Sequence, residues 1–203
     1  MPEIITLDEM KAYLKVPRDN SGSDEVLALV KAASEGWVQT YCSRRFVSAS
    51  YTERYNGSGR KALRVIETPV STSPLATVME DGVALGVAAV YSTSADVIYD
   101  QVSGIFHRLP TSRRSTVQSP GWADGIQNIE VTYTGGYPDG SVPGDLRLAT
   151  CFIGALMWRH SDRFEAGLLS RADGAHSVSF ADELPMVIKT ILNAYRRPPA
   201  GGL

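Results

Sequence analysis

The stretch VTYTGGYPDGSVPGDLRLATCFIGALMWRH, Val131 to His160, decides the fold. It opens as a strand: Ile129, Val131 and Tyr133 alternate with Glu130, Thr132 and Thr134, the two-residue period of a half-buried β element. Gly135-Gly136 and Pro138-Asp139-Gly140 break it. Pro143 suits a first helical turn, where its missing N–H costs nothing, and Asp145 favours the positive end of the helix dipole. From Leu146, residues 146, 149, 153, 156 and 157 form one apolar stripe, while Leu148, Cys151, Phe152, Ala155 and Trp158 fill the other side. A helix apolar nearly all round needs cover on several faces, so it is expected at the centre of its domain or of an assembly. At about 15–18 residues, bracketed by Arg147 and Arg159, it is short for a membrane span.

Working outward, the N-terminal side reads as an αα-hairpin. Thr6-Leu7-Asp8-Glu9 fits a capping box, opening a helix with Leu7, Met10, Tyr13 and Leu14 on one face and a stop before Pro17. Arg18 to Ser23 is a polar loop, and Ser23 is expected to cap a second helix running to about Ser43. Its stripe is Val26, Leu29, Val30, Ala33, Trp37 and Tyr41. On the other side, residues 161–180 lack a sustained period and read as a long loop or a projecting hairpin. A last helix is expected from near Asp182, with Pro185 in its first turn and Leu184, Val187, Ile188, Ile191, Leu192 and Tyr195 as its stripe. Arg196-Arg197 suit its C-terminal dipole end, and Pro198-Pro199 stop it.

Between these helices the character is β. Residues 46–55 alternate loosely, and Asn56-Gly57-Ser58-Gly59 reads as a hairpin turn into Ala62–Ile66. Thr77–Met79 and Val83–Leu85 flank Asp81-Gly82; Val97–Tyr99 and Ile105–His107 flank a turn from Asp100 to Gly104. These signals predict a small antiparallel sheet or barrel of about six strands. The expected class is therefore α+β: a helical core from 1–45 and 138–203, with an inserted β domain at 46–137.

Composition is that of an ordinary globular chain of 203 residues. Residues 44–114 hold nine Lys/Arg against six Asp/Glu, while 1–43 hold four against seven and 115–203 seven against nine. This is not the strongly basic footprint of a sequence-reading nucleic-acid binder. Cys42 and Cys151 lie far apart within helical patterns and are expected as buried thiols. MPEIITLDEM has neither an apolar signal core nor transit-peptide character, so synthesis and retention in the cytoplasm are expected.

Signatures of chemistry are sparse. His107, His160 and His176 share no metal-ligand spacing with Cys or Asp, and no nucleophile elbow, P-loop or dinucleotide fingerprint is present. Neither a cofactor nor a metal is expected. Asp139 and Asp145 are accounted for by a turn and a helix start. The pairs Arg44-Arg45, Arg113-Arg114 and Arg196-Arg197 end elements and suit solvent, acidic partners or a DNA backbone.

The order of elements carries a resemblance. LDEMKAYLKV, a polar loop, and VKAASEGWVQTYCSRRF resemble the opening of tailed-phage head-tail connector proteins, the portal adaptors with relatives in prophages and gene transfer agents. VTYTGGYPDGSVPGDLRLATCFIGALMWRH is similar to that family's strand, Gly-Tyr turn, Val-Pro and core helix. LPMVIKTILNAYRRPP resembles the close of its longer members, which carry a β insert. The likeness covers roughly 1–45 and 129–199, and reaches the insert only in position and length. Arg159-His160-Ser161 departs from the more polar or acidic helix end common in that family.

The resemblance implies a structural protein of the virion neck without catalysis, assembled in the host bacterial cytoplasm. It implies a ring of twelve copies beneath the portal, continuing the DNA channel and meeting the next connector or tail-completion protein. DNA then passes without sequence-specific binding, and no membrane is involved. On this reading Tyr195, Arg196, Arg197, Pro198 and Pro199 dock on the portal and gain order on binding. Arg163, Phe164, Leu168, Leu169 and Arg171 belong to a loop facing the channel or a neighbouring subunit, and Phe152, Trp158 and Trp37 pack between subunits. Two rival readings differ in class. One is a small-ligand or carbohydrate-binding module using Trp122, Tyr91 and Tyr99; the other is a hydrolase in which Asp81, Asp96 and His107 converge.

Overall fold

A computed structural model describes residues 3–92, 94–109, 121–163, 170–173, 176–179 and 184–197. In chain order the elements are α1 (Leu7–Leu14), α2 (Asp24–Cys42), β1 (Ala49–Gly57), β2 (Ala62–Arg64), β3 (Thr77–Glu80), β4 (Val83–Leu85) and β5 (Val87–Ala88). They continue with β6 (Val97–Asp100), β7 (Ile105–Arg108), β8 (Gly125–Gly135), α3 (Gly144–Arg163), β9 (Ser170–Asp173), β10 (His176–Ser179) and α4 (Met186–Tyr195). The chain divides into two compact units, Glu3–Arg44 with Val142–Pro199, and Arg45–Ser141. The class is α+β.

In the helical unit, α3 packs against α1, α2 and α4. Leu146, Ala149, Ile153 and Ala155 are buried together with Cys151 and Thr150, whose hydroxyl donates to the Leu146 carbonyl at 2.8 Å. The helix is therefore central, but its apolar faces are largely used within its own unit. Gly154 lies where a side chain would run into the Met10 thioether, so α1 and α3 approach closely there. The Pro143 carbonyl accepts from Arg147 N at 3.0 Å, which puts Pro143 one position ahead of the expected first turn.

The capping box of α1 forms as expected: Thr6 N donates to Glu9 Oε2 at 2.9 Å, and Glu9 N to Thr6 Oγ1 at 3.2 Å. Met10 is buried. So is Lys11, whose ammonium lies 2.5 Å from Asp24 Oδ1 and donates to the Arg18 and Asn20 carbonyls at 3.2 and 3.0 Å. One buried cation thus ties the loop between α1 and α2 to both helices. Ser23 occupies the N-cap of α2, but its side chain makes no capping hydrogen bond.

The face that α2 buries is only partly the expected one: Val30 is inside and Trp37 and Tyr41 are half-buried, but Ala33 is exposed. Leu27, Val30, Ser34, Val38 and Cys42 are inside, whereas Val26 and Leu29 are exposed. The helix is apolar on opposite sides, so spacing alone did not choose between them. Ser34 becomes tolerable inside because its hydroxyl donates to the Lys31 carbonyl at 2.7 Å. The last helix also differs from expectation: α4 starts at Met186, four residues after Asp182, with Pro185 at its N-cap. It buries Ile188 and Leu192 but leaves Val187 in solvent. In the 161–180 region α3 runs on to Arg163, and β9 and β10 pair antiparallel, as in the hairpin reading; residues 164–169, 174–175 and 180 lie outside the described residues.

The β unit has two four-stranded sheets, ordered β1-β8-β3-β4 and β2-β7-β6-β5. They share one core that includes Val78, Tyr99, Phe106, Trp122, Ile129 and Val131. The β3–β4 hairpin forms as read, with Asp81 (φ 50°) and Gly82 (φ 79°) both left-handed, the conformation a two-residue primed turn requires. The β6–β7 hairpin also forms. The expected hairpin through Asn56–Gly59 does not: β1 pairs with β8, and β2 with β7 in the other sheet. The physical reason is a competing pairing. Gly59 N donates to the Trp122 carbonyl at 2.9 Å, and Trp122 N to the Arg60 carbonyl at 2.8 Å. The turn residues are thereby held to the segment ahead of β8, and the chain passes between sheets. A second departure is that β5 and β6 run parallel. Between the sheets, Arg108 Nε on β7 meets Glu80 Oε2 on β3 at 3.2 Å, and both side chains are mostly covered.

Candidate assembly site

The expected portal-docking residues sit at the C-terminal end of α4, which is fastened to α2 and α3. Tyr195 donates its hydroxyl hydrogen to Asp145 Oδ1 at 2.7 Å. Tyr41 donates to Asn193 Oδ1 at 3.0 Å, Cys42 Sγ lies 3.5 Å from the Leu192 carbonyl, and Arg197 N donates to the Cys42 carbonyl at 2.9 Å. Trp37 stacks on Tyr41 with ring centroids 5.2 Å apart and planes 15° off parallel. The Arg196 guanidinium lies 5.7 Å from the centroid of the Tyr41 ring. Trp37, Tyr41 and Arg196 therefore form one row of aromatic and cationic surface. Tyr195 ends α4, and Arg196 and Arg197 follow it against the end of α2. Pro198 and Pro199 lie outside the described residues.

Other expected site residues are dispersed. Phe152 and Trp158 are half-buried on α3, like Trp37 on α2. Arg163 ends α3 and Arg171 lies in β9, each placed here by its backbone; Phe164, Leu168 and Leu169 lie outside the described residues. Burial pushes the Cys42 thiol up to about 11, against a smaller pull from the Arg44 and Arg196 charges. Burial likewise raises Cys151. Both cysteines are free and buried, as read from the sequence, and neither has a reactive thiol's environment.

The rival sites do not assemble. Trp122 is 2% exposed and Tyr99 is buried with its hydroxyl donating to the Ser71 carbonyl at 2.8 Å, so neither offers a ring face to a sugar; Tyr91 alone is exposed. Asp81 accepts from Asn128 Nδ2 at 3.2 Å, Asp96 Oδ2 accepts from Gly86 N at 2.9 Å, and His107 is an exposed residue of β7. Each carboxylate thus has its own structural partner, Asn128 on β8 for Asp81 and Gly86 for Asp96. Among the described residues no acidic, His or Cys cluster is arranged to hold a metal, and no helix is long and apolar enough to cross a membrane.

The sequence reading missed a polar network inside the β unit. Tyr133 donates to Glu53 Oε1 at 2.7 Å and accepts from Glu67 N at 2.9 Å. Glu53 Oε2 accepts from Tyr55 Oη and, at 3.1 Å, from Ile66 N; Glu67 Oε2 accepts from Arg45 N at 3.0 Å. Burial, chiefly, drives the Tyr133 phenol far above its ordinary range, with the two glutamates adding to the shift. The one visible signal was a tyrosine on the inward register of a strand, which needs a partner for its hydroxyl. The sequence reading also missed Glu35, whose Oε1 accepts from Ile4 N at 3.0 Å and Ile5 N at 3.1 Å and pins the N-terminal segment to α2.

The fold is shared with chains of known structure. It is similar to a chain in the neck of an empty gene transfer agent particle computed with C6 symmetry, at 17% identity and TM-score 0.59, covering 98% of this chain and 93% of that one. It is also similar to a chain in the virion of a native gene transfer agent particle, at 15% identity and TM-score 0.56, with the same coverage. A third likeness is to a chain in the neck of a native particle computed with C12 symmetry, at 14% identity and TM-score 0.55, covering 99% and 98%. No curated protein matches the sequence. The family model for head completion proteins matches residues 3–198, and the chain belongs to that family.

Proposed function

We infer that the protein is a structural head-tail connector of a phage-like particle. The observation that carries this reading is the head completion family match, which runs through both units from residue 3 to 198. It acts by occupying a place in the neck and is assigned no reaction. In finer detail, twelve copies form a closed ring beneath the portal, continue the DNA channel and present a platform to the next connector or tail-completion protein. The likeness to a neck chain from a particle computed with C12 symmetry supports the copy number. A chain of net charge −2 supports passive passage of DNA, since phosphate is held mainly by lysine and arginine. The portal contact is made by the α4 end, through the exposed Arg196 above Tyr41 and through Arg197. The helical core and the β insert are separate functional parts of this connector, and the ring is assembled in the bacterial cytoplasm.

Electron microscopy of particles carrying a tagged copy tests the reading. Label in the neck, and tailless heads when the gene is deleted, are expected; label absent from the neck would overturn it.

A further inference from the structure

Arg196 directly follows α4 and is exposed. Its guanidinium lies over the Tyr41 ring, 5.7 Å from the centroid. That ring is itself held twice. It stacks on Trp37 with centroids 5.2 Å apart, and its hydroxyl donates at 3.0 Å to Asn193 Oδ1, in the last turn of α4. Stacking on an aromatic ring engages the face of a guanidinium and leaves the N–H groups along its edge for acceptors. Among the described residues no carboxylate pairs with Arg196, whereas Arg54, Arg108 and Arg147 each have one.

We propose that Tyr41 is a positioning residue for Arg196, and that the guanidinium it holds receives an aspartate or glutamate carboxylate of the portal-side partner. The proposal rests on the portal contact read above and names the chemistry of its other half. A carboxylate is planar and meets the edge of an arginine with parallel N–H···O bonds, which a point charge cannot match. Because the ring places the guanidinium before the partner arrives, less side-chain freedom is lost on contact. A nucleic-acid backbone fits this corner poorly. Phosphates are gripped by a run of cations, yet α4 carries Lys189 as its one charged residue, and the Asp145 carboxylate is bonded to Tyr195, next to Arg196.

Titrating the purified chain onto portal-bearing heads free of DNA tests this. Arg196→Lys keeps the charge but not the planar edge, and Tyr41→Leu removes the ring; each is expected to bind about tenfold more weakly than wild type. Tyr41→Phe keeps the ring and should bind like wild type. Arg196→Lys alters an exposed side chain and should keep the wild-type urea midpoint, so it carries the test even if Tyr41→Leu unfolds. Arg196→Lys binding like wild type would overturn the carboxylate fork. A folded Tyr41→Leu that binds like wild type, or Tyr41→Phe as weak as Tyr41→Leu, would overturn the positioning role of the ring. In each of these cases, loss of binding in Arg196→Glu would leave the portal contact standing. Wild-type chain that binds DNA-filled heads alone would assign the edge to phosphate and overturn the proposal. Wild-type chain that binds neither kind of head would overturn the portal contact with it.

Discussion

Tyr195, the last residue of α4, donates its hydroxyl hydrogen to Asp145 Oδ1 at 2.7 Å, near the start of α3. The same carboxylate oxygen accepts from Leu146 N at 2.8 Å, so one acidic side chain serves both its own helix start and the end of another helix. Tyr195→Phe keeps the ring and deletes one partly exposed hydrogen bond, so a stability loss of about 1 kcal/mol is expected in urea titration. Because this hydroxyl is already engaged inside the unit, attachment of connector to head should survive the change. Arg196→Glu, on an exposed side chain, is expected to do the reverse: little change in the urea midpoint, and attachment lost. Equal attachment for both variants would remove Arg196 from the portal contact.

Lys11 is buried and its ammonium is fully committed, to Asp24 and to two loop carbonyls. Lys11→Met fills similar space without charge, leaving the Arg18 and Asn20 carbonyls and the Asp24 carboxylate to find water. A loss of about 2 kcal/mol is expected, the scale of hydrogen bonds to a charged group. Chemical denaturation measures it. Amide exchange in 16–23 should quicken at the same time, because that loop loses its tie to α1.

Alkaline pH should weaken the fold through Cys42 and Tyr133. Both pKa values are raised in the folded state above their ordinary 9.0 and 10.0. The folded state therefore binds these protons more tightly than the unfolded chain does. Their contribution is complete below about pH 9 and falls as pH rises past the unfolded values, first for Cys42 toward its folded value of about 11. The urea midpoint should hold from pH 7 to 8.5 and drop between 9 and 11. Tyr133→Phe should start about 1–3 kcal/mol less stable, since Glu67 N–H loses its acceptor, but show a shallower alkaline drop. A midpoint flat to pH 11 in the wild-type chain would contradict the burial of both groups.

What could be read in advance follows from how local each determinant is. The α1 capping box and the Asp81-Gly82 turn are set by four adjacent residues each, and both formed as read. The central place of α3 followed from its all-round apolarity, since such a helix has no stable position at a surface. The buried side of α2 was not legible, because Leu27/Val38 and Val26/Leu29 are comparably apolar and only the placement of Lys31 and Glu35 separates them. Asn56–Gly59 carries a strong turn signal, yet strand pairing is decided by β8, some seventy residues downstream. Of the proposed docking residues, Arg196 and Arg197 were visible as a cationic helix end. Their neighbours Tyr41 and Trp37 come from a helix about 155 residues earlier, which no local pattern connects.

That long-range pairing has its most exacting point at Gly57. Here β1 shifts register against β8, Gly57 N donates to Asn128 Oδ1 at 2.9 Å, and an added Cβ would lie 1.6 Å from the Ala123 carbonyl oxygen. The obstacle is backbone, which cannot swing aside as a side chain can. Gly57→Ala is expected to cost upwards of about 3 kcal/mol, with the Gly59–Trp122 and Asn128 hydrogen bonds disrupted together. Two further glycines calibrate the figure. Gly82→Ala meets no atom within 4 Å and bears only the strain of its φ of +79°, so a loss of about 1 kcal/mol is expected. Gly36→Ala, in the middle of α2 with open space around it, should stabilise by about 0.5–1 kcal/mol through helix propensity. Melting temperatures of the three variants should therefore fall in the order Gly36→Ala, wild type, Gly82→Ala, Gly57→Ala. If Gly57→Ala melted with the wild type, the close approach of β1 to residue 123 would be wrong, and the two-sheet arrangement that depends on it would need another register.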